Sequence, residues 1–178
     1  GFFLGKPGVV PNPEWKKKNF KDSDWRIGDT YNTAIGQYGF QVTPIQVVRA
    51  VSAIANDGKI LNPSIILNSP NTDSKLIDIK KEDFKVVREG MRGAVVYGTA
   101  QGLNIPQVEV AAKTGTAELG TSKKSVNSWV IGFFPYEHPK YAFSVIMERG
   151  PSVNLIGGLY VMRELLDWMS VNAQQYLQ

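Results

Sequence analysis

The chain has 178 residues, of which 43% are hydrophobic and 20% charged, and its formal net charge is +4. These values are ordinary for a folded globular domain and argue against a disordered chain. The sequence has no cysteine and one histidine, which excludes disulfides, a cysteine nucleophile and any metal site built from thiolates or several histidines. Its lysine runs are short and scattered, so we expect no nucleic-acid partner. We also expect no metal and no cofactor.

The start of the chain, residues 1–33, is predicted to be largely irregular. Its start, Gly1-Phe2-Phe3-Leu4-Gly5, has no initiator methionine and no signal peptide pattern, so we expect the chain to be cut from a longer protein. A short helix is predicted over residues 15–20, because Asn12-Pro13 resembles a helix start. Gly28-Asp29-Thr30 is predicted to be a turn.

Two longer helices follow. Thr43 and Pro44 open the first as N-cap and first helical residue, and Asn56-Asp57-Gly58 ends it because glycine often follows a helix. The second is predicted over residues 81–96. The face of each helix predicted to pack inward is one broad, mainly apolar face. It consists of Ile45, Val48, Val51, Ser52, Ile54 and Ala55 in the first helix, and of Phe84, Val87, Met91 and Val95 in the second.

Between these helices, residues 60–67 are predicted to be extended and residues 68–74 to form a polar turn.

His138 lies in a predicted turn between two later strands, which argues against a Ser-His-Asp triad. The predicted strands cover residues 108–117, 128–134 and 141–147.

The connections between these strands are short and predict antiparallel neighbours. A last helix is predicted over residues 159–169, with Leu159, Met162, Leu165, Leu166 and Met169 on its apolar face. The fold class is therefore α+β, an antiparallel sheet flanked by helices. Three strands alone leave a sheet edge bare, and partner strands outside this chain are one explanation.

The strand over residues 108–117 ends in Lys113-Thr114-Gly115-Thr116, a cation, two hydroxyls and a glycine. Because strands alternate faces, Thr114 and Thr116 share one face and Lys113 and Gly115 the other. Gly115 lets a ligand approach the backbone, and free N–H groups on a strand edge can hold an extended peptide or an oxyanion. From the residues alone, this strand suits an anionic, peptide-like ligand, or is simply a strand ending in a polar turn.

Seven short stretches of the sequence occur in a characteristic order. They are Trp25-Arg26-Ile27-Gly28-Asp29-Thr30, Ala34-Ile35-Gly36-Gln37, Val42-Thr43-Pro44-Ile45-Gln46, Ala53-Ile54-Ala55-Asn56-Asp57-Gly58, Gly98-Thr99-Ala100, Ala112-Lys113-Thr114-Gly115-Thr116-Ala117-Glu118 and Trp129-Val130-Ile131-Gly132-Phe133-Phe134-Pro135. Together they resemble one family, the class B penicillin-binding proteins, in the C-terminal half of their transpeptidase domain. The spacing of Gly28-Asp29-Thr30 and Ile35-Gly36-Gln37, together with Glu14-Trp15-Lys16, favours the cell-elongation type over the septal type.

The resemblance implies a peptidoglycan D,D-transpeptidase that cross-links stem peptides ending in D-Ala-D-Ala through a serine acyl-enzyme, and that β-lactams acylate. It implies a five-stranded antiparallel sheet, of which residues 1–178 would hold the last three strands and the final helix. The family's nucleophile motif, Ser-x-x-Lys, does not occur here. Its Ser-x-Asn motif occurs in letters only at unsuitable positions, beginning at Ser69, Ser125, Ser152 and Ser170. We expect both motifs to lie N-terminal to Gly1 and the chain alone to be inactive.

By resemblance, Lys113 would supply positive potential beside the serine of the Ser-x-Asn element. Thr114 and Thr116 would bind the terminal carboxylate of the ligand, and Gly115 would leave room for it. The backbone N–H of Thr116 would form half of the oxyanion hole. In the next strand this subgroup often has a histidine where Asn127 stands here, and we assign Asn127 no catalytic role.

The resemblance also implies a setting and partners. The parent would be held by one N-terminal membrane helix in the bacterial inner membrane, with its catalytic domain facing the periplasm. Its partners would be a SEDS-type glycosyltransferase and an MreC-type scaffold. One alternative is a penicillin-binding-like sensor or scaffold without turnover, which the intact Lys113-Thr114-Gly115-Thr116 disfavours. The other is a β-lactamase, which would need a deacylating base that no glutamate here suggests.

Several aromatic residues have two interpretations. Trp129, Phe133 and Phe134 are better explained as strand core than as walls of a cleft. Trp15 and Trp25 suit a partner surface and a small satellite core equally well.

Overall fold

The computed structural model describes residues 7–21, 23–66, 74–120, 124–153 and 157–178. The chain divides into two compact units, one within residues 3–43 and one within residues 44–178. The predicted polar turn over residues 68–74, except Ser74, lies outside the described residues, as does the Ser-x-Asn sequence that begins at Ser69. None of the helices in the described ranges is long and apolar enough to cross a bilayer.

The smaller unit has two short helices, α1 (Pro13–Asn19) and α2 (Ile27–Ala34). The start of α1 is confirmed, because the Asn12 side chain accepts a hydrogen bond from the backbone N–H of Trp15 at 2.8 Å. Asparagine at this position satisfies a backbone donor that the helix itself leaves unpaired.

The predicted turn at Gly28-Asp29-Thr30 is wrong, because these residues form the first turn of α2. The Asp29 carboxylate accepts the backbone N–H of Arg26 at 2.6 Å. An acidic residue here also complements the partial positive charge of the helix start. Together these interactions offset the roughly 1 kcal/mol that a glycine costs a helix.

Aromatic rings form the small core of this unit, which favours the satellite-core interpretation of Trp15 and Trp25. Trp15 packs edge-on against Phe20 and Tyr38, with ring centroids 5.6 Å apart in both pairs, and Trp25 lies 6.2 Å from Tyr38. Gly39 has φ +77° and lies against the Trp15 ring, where a Cβ would come within 2.6 Å of it. Only glycine fits this position.

The larger unit opens with α3 (Pro44–Ala55), which begins at the predicted residue. Gly58 follows its end with φ +97° and donates its N–H to the Ala53 carbonyl at 2.7 Å. Of the predicted extended run over residues 60–67, residue 67 lies outside the described residues. Among the others, only Ile60 belongs to a strand, β1 (Lys59–Ile60), which is antiparallel to β2 (Lys75–Leu76).

The second predicted helix is confirmed as α4 (Lys81–Val96). The main sheet has the order β3-β4-β5, with both pairs antiparallel, so the α+β prediction is confirmed. A last helix, α5 (Gly158–Asn172), follows it. The three strands are β3 (Ala111–Leu119), β4 (Ser125–Phe134) and β5 (Tyr141–Pro151).

The strand boundaries differ from the prediction at several ends. β3 starts three residues later than predicted, because Val108 pairs with Ile105 in an isolated bridge instead. β4 starts three residues earlier, and β5 runs four residues further. The connection over residues 135–140, which contains His138, is the predicted turn between strands.

Helices cover both faces of the sheet. Val51 of α3 and Met91 of α4 pack with Ala111 and Phe133 on one face. On the other face, α5 buries Met162 and Leu166 in a cluster that also contains Ala112, Val130 and Phe134.

Three residues of the predicted apolar faces are exposed in the structure. Val87 and Leu165 are each 46% exposed and Ile45 is 37% exposed, because the packing of each helix buries a narrower stripe than its apolar spacing predicts. Phe133 and Phe134 are buried, as the strand-core interpretation predicts, whereas Trp129 is half-buried.

Candidate functional site

The Lys113-Thr114-Gly115-Thr116 sequence lies in β3, which pairs only with β4 among the described strands. Thr114 is opposite Val130. Thr114 and Thr116 therefore share the face that α5 covers, and Lys113 and Gly115 share the other. The predicted alternation of these four residues is confirmed, and the second edge of β3 has no strand beside it in the described part of the chain.

Lys113 is exposed, and its ammonium group donates a hydrogen bond to the carbonyl oxygen of Thr114. No ion pair within the described ranges includes Lys113. The strand therefore presents a cation that none of the described carboxylates neutralises, beside two hydroxyl groups.

The Thr114 hydroxyl is 2.8 Å from the hydroxyl of Thr99, which lies in the loop after α4. Gly98 makes this loop tight, because a Cβ there would lie 2.8 Å from the Cα of Ala94. Gly98-Thr99-Ala100 is one of the stretches that resemble the family, but nothing in its sequence indicates this contact. Thr99 and Thr114 are 15 residues apart, and only the packing of α4 beside β3 brings them together.

Arg92 fixes α4 to the start of the same strand. Its guanidinium pairs with the Glu109 carboxylate at 2.9 Å and donates to the Val110 carbonyl at 3.1 Å. Because both contacts come just before Ala111, they hold α4 against the entry of β3. The loop that follows α4 is thereby placed beside Thr114.

The described neighbours of Gly115 leave room for a side chain. If this residue had a Cβ, the nearest atom to it would be the Trp129 Cβ, at 3.5 Å. None of the described neighbours therefore requires a glycine at this position, in contrast to Gly39 or Gly98.

In β4, the strand beside the site, Asn127 and Ser128 have structural roles. The Asn127 side chain accepts the backbone N–H of Arg149 at 2.9 Å, next to an irregularity in the β4–β5 ladder. The Ser128 hydroxyl accepts the N–H of Gly158 at 3.1 Å, and any Cβ on Gly157 would overlap that hydroxyl. A small residue at position 128 lets α5 begin close to β4, opposite Thr116.

Comparison with known proteins agrees with this geometry. Residues 2–160 match the penicillin binding protein transpeptidase domain. The chain belongs to this transpeptidase family. It is 32% identical over 168 residues to the peptidoglycan D,D-transpeptidase MrdA of Acinetobacter baumannii, a match that covers 80% of the chain and 25% of that protein.

Two solved structures of penicillin-binding proteins are also similar. The complex of PBP2 and MreC from Helicobacter pylori has 32% identity and a TM-score of 0.76, covering 93% of this chain and 31% of that one. The imipenem acyl-enzyme of penicillin-binding protein A from M. tuberculosis has 29% identity and a TM-score of 0.62, covering 76% and 32%. The resemblance to the elongation-type penicillin-binding proteins is confirmed, and the chain spans between a quarter and a third of the length of these relatives.

Proposed function

We propose that this chain is the C-terminal part of a serine-type peptidoglycan D,D-transpeptidase that is also a target of β-lactams. The observation that carries the proposal is β3 in a chain of this family. One edge of this strand has no partner strand among the described residues, and the strand presents two threonines and a lysine that no described carboxylate neutralises. The relative from Acinetobacter baumannii is named for this activity, and the M. tuberculosis relative was solved as an imipenem acyl-enzyme.

The proposed roles follow from the chemistry of each group. The Thr114 and Thr116 hydroxyls bind the terminal carboxylate of the ligand, since hydroxyls donate well to an anion. Lys113 provides positive potential beside the serine of a Ser-x-Asn element. Gly115 keeps the backbone accessible, which agrees with the absence of any close contact that would demand glycine among its described neighbours.

The backbone N–H of Thr116 is proposed as one donor of the oxyanion hole. In an antiparallel pair, the backbone groups of alternate residues point away from the partner strand. The Thr114 carbonyl accepts a hydrogen bond from the Lys113 side chain, as expected of a carbonyl on the uncovered edge. Thr116 lies two residues further on, so its N–H would point to the same edge.

The nucleophilic serine, its lysine base and the Ser-x-Asn element would lie N-terminal to Gly1, in the rest of one transpeptidase domain. The serine oxygen attacks the carbonyl of the penultimate D-Ala, and the peptide bond to the last D-Ala breaks. That D-Ala leaves with a proton, and an acyl-enzyme remains. An amine of a second stem peptide then displaces the serine oxygen and forms the cross-link. The Thr116 N–H stabilises the oxyanion in both steps, and one such donor is worth about 3 kcal/mol.

The partners and location are proposed from the relatives. The Helicobacter pylori neighbour was solved with MreC, so we propose an MreC-type scaffold as a partner of the parent protein, together with a SEDS-type glycosyltransferase. The parent would be anchored in the bacterial inner membrane outside this chain, with the transpeptidase domain facing the periplasm.

The test uses the full-length parent protein and a labelled penicillin, with the adduct located by mass spectrometry. We expect an adduct on a serine upstream of Gly1. Thr116→Ala removes the clamp hydroxyl but keeps the backbone N–H. A hydrogen bond to a charged group is worth about 1.5–3 kcal/mol, so acylation should slow about ten- to a hundredfold.

The outcomes separate the two functions that the sequence left open. A serine adduct that forms much more slowly in Thr116→Ala supports the transpeptidase and its carboxylate clamp. If the wild-type protein forms no adduct, the protein is a non-catalytic sensor or scaffold. A wild-type rate in Thr116→Ala would remove the proposed role of that hydroxyl.

A further inference from the structure

Thr99 has no part in the roles above, yet its hydroxyl is hydrogen-bonded to Thr114, the first threonine of the proposed carboxylate clamp. We propose that Thr99 is a positioning residue for ligand recognition. Its hydroxyl donates to the Thr114 oxygen and so directs the only hydroxyl hydrogen of Thr114 toward the ligand carboxylate. This inference rests on the proposed function and adds to it a residue outside β3.

The direction of this hydrogen bond follows from the donor and acceptor capacity of a threonine. Each hydroxyl has one hydrogen to donate and two lone pairs to accept with. Without a ligand, either Thr99 or Thr114 can be the donor at their 2.8 Å separation. A carboxylate only accepts, so Thr114 must donate to it, and the bond between the two threonines persists only if Thr99 becomes its donor.

The anion strengthens the whole chain of hydrogen bonds. A hydroxyl that donates to a charged acceptor becomes a better acceptor itself. The Thr99 hydroxyl therefore contributes more when the site is occupied than when it is empty. Loss of the Thr99 hydroxyl should therefore weaken ligand recognition more than it lowers folding stability.

The loop holds Thr99 in place on both sides. The Tyr97 N–H donates to the Gly93 carbonyl at 3.0 Å, and the Ala100 N–H donates to the Ala94 carbonyl at 2.8 Å. Ala100 is fully buried. Thr99 itself is exposed, so replacing it should disturb the fold little while its backbone stays fixed.

The experiment measures the second-order rate of acylation of the full-length protein by a labelled penicillin. Thr99→Val keeps the shape of the side chain but removes the donor. We expect a loss of about three- to tenfold, the factor that one ordinary hydrogen bond is worth. Thr99→Ser should restore the wild-type rate. In the Thr114→Val background, Thr99→Val should cause no further loss, because its partner hydroxyl is already absent.

A matched control is Thr33→Val, the same substitution in α2. The Thr33 hydroxyl is buried, and no hydrogen-bond partner for it exists in the described part of the chain. This variant should acylate at the wild-type rate. The melting temperature of each variant shows whether it has kept its fold.

Each outcome bears on one claim. A wild-type acylation rate in Thr99→Val overturns the inference. So does a loss from Thr99→Val that is equally large in the Thr114→Val background. A failure of Thr99→Ser to restore the acylation rate also overturns it. These outcomes leave the proposed function intact. If the wild-type protein is not acylated at all, the proposed function fails, and this inference fails with it.

Discussion

Lys16 and Asp29 form a buried ion pair in the smaller unit, with 2.6 Å between the ammonium nitrogen and a carboxylate oxygen. The same oxygen accepts the Arg26 N–H. The Lys16 hydrogen bond, followed by that from the Arg26 backbone, lowers the pKa of Asp29 below its ordinary value of 3.8. Burial raises the pKa of the neighbouring Tyr38, and its hydrogen bond with Asp29 raises it further. The carboxylate is therefore charged in the folded protein at neutral pH.

This pair predicts a pH dependence for the stability of residues 7–21 and 23–43. A lowered pKa means that Asp29 stabilises the fold fully above its ordinary value of 3.8. That contribution is lost as the pH falls through the lower pKa of the folded state. Asp29→Asn should be less stable than wild type at pH 7, and the difference should shrink below pH ~4.

Hydrogen exchange of peptides from these residues, measured in the full-length protein across denaturant and pH, would report the difference. Asp24→Asn is the matched control, since the ion pair of Asp24 among the described residues is a long, exposed contact of 3.9 Å with Lys17. A difference between wild type and Asp29→Asn that stays constant down to pH ~2 would contradict the prediction.

At the scale of an element, β4 requires a glycine at position 132, within one of the stretches that resemble the family. Gly132 lies between β3 and β5, opposite Ala112 and Phe143. A Cβ at this position would lie 2.6 Å from the Phe143 ring and closer still to the Ala111 carbonyl oxygen. The backbone atom cannot move without breaking the ladder, so the central strand tolerates no side chain there.

Gly132→Ala should therefore destabilise the protein by at least ~1–3 kcal/mol, the usual cost of an overpacked core. Gly150→Ala is the matched control, because the nearest atom to its Cβ would be the Val126 carbonyl oxygen at 4.0 Å. Urea unfolding of the full-length protein would compare the two. Equal stability of both variants would show that the strands can separate to accommodate the methyl group.

At the scale of the whole molecule, the described structure leaves large apolar side chains uncovered. On α5, Trp168 is 57% exposed and Val171 is 76% exposed. β3 and β5 each have one edge without a partner strand among the described residues. Exposed apolar patches and bare edges of this kind usually mark contacts with further protein.

We therefore predict that residues 1–178 fold poorly in isolation. Circular dichroism of the isolated chain on heating should show a broad, weakly cooperative change rather than one sharp transition. The full-length parent is the control and should melt sharply. A sharp, reversible melt of the isolated chain would contradict the prediction and show that its own core is sufficient.

Interactions between residues close in the sequence determine many of the helices and strands of this protein. The helix starts at Asn12 and Pro44 and the full extent of α4 follow from capping residues and apolar spacing, because a helix is decided by neighbours a few residues away. The three antiparallel strands follow from short connections in the same way. The family could be predicted because several short stretches occur in a fixed order.

The tertiary structure decided what depends on residues far apart in the chain. The α2 helix was missed because Gly28 suggested a turn, whereas the Asp29 carboxylate capping the Arg26 N–H stabilises a helix. Val87 and Leu165 are exposed because the packing of each helix, and not its spacing pattern, sets the width of the buried stripe. The hydrogen bond between Thr99 and Thr114 exists only because α4 lies beside β3. These two residues are 15 positions apart, so no local sequence pattern predicts their contact.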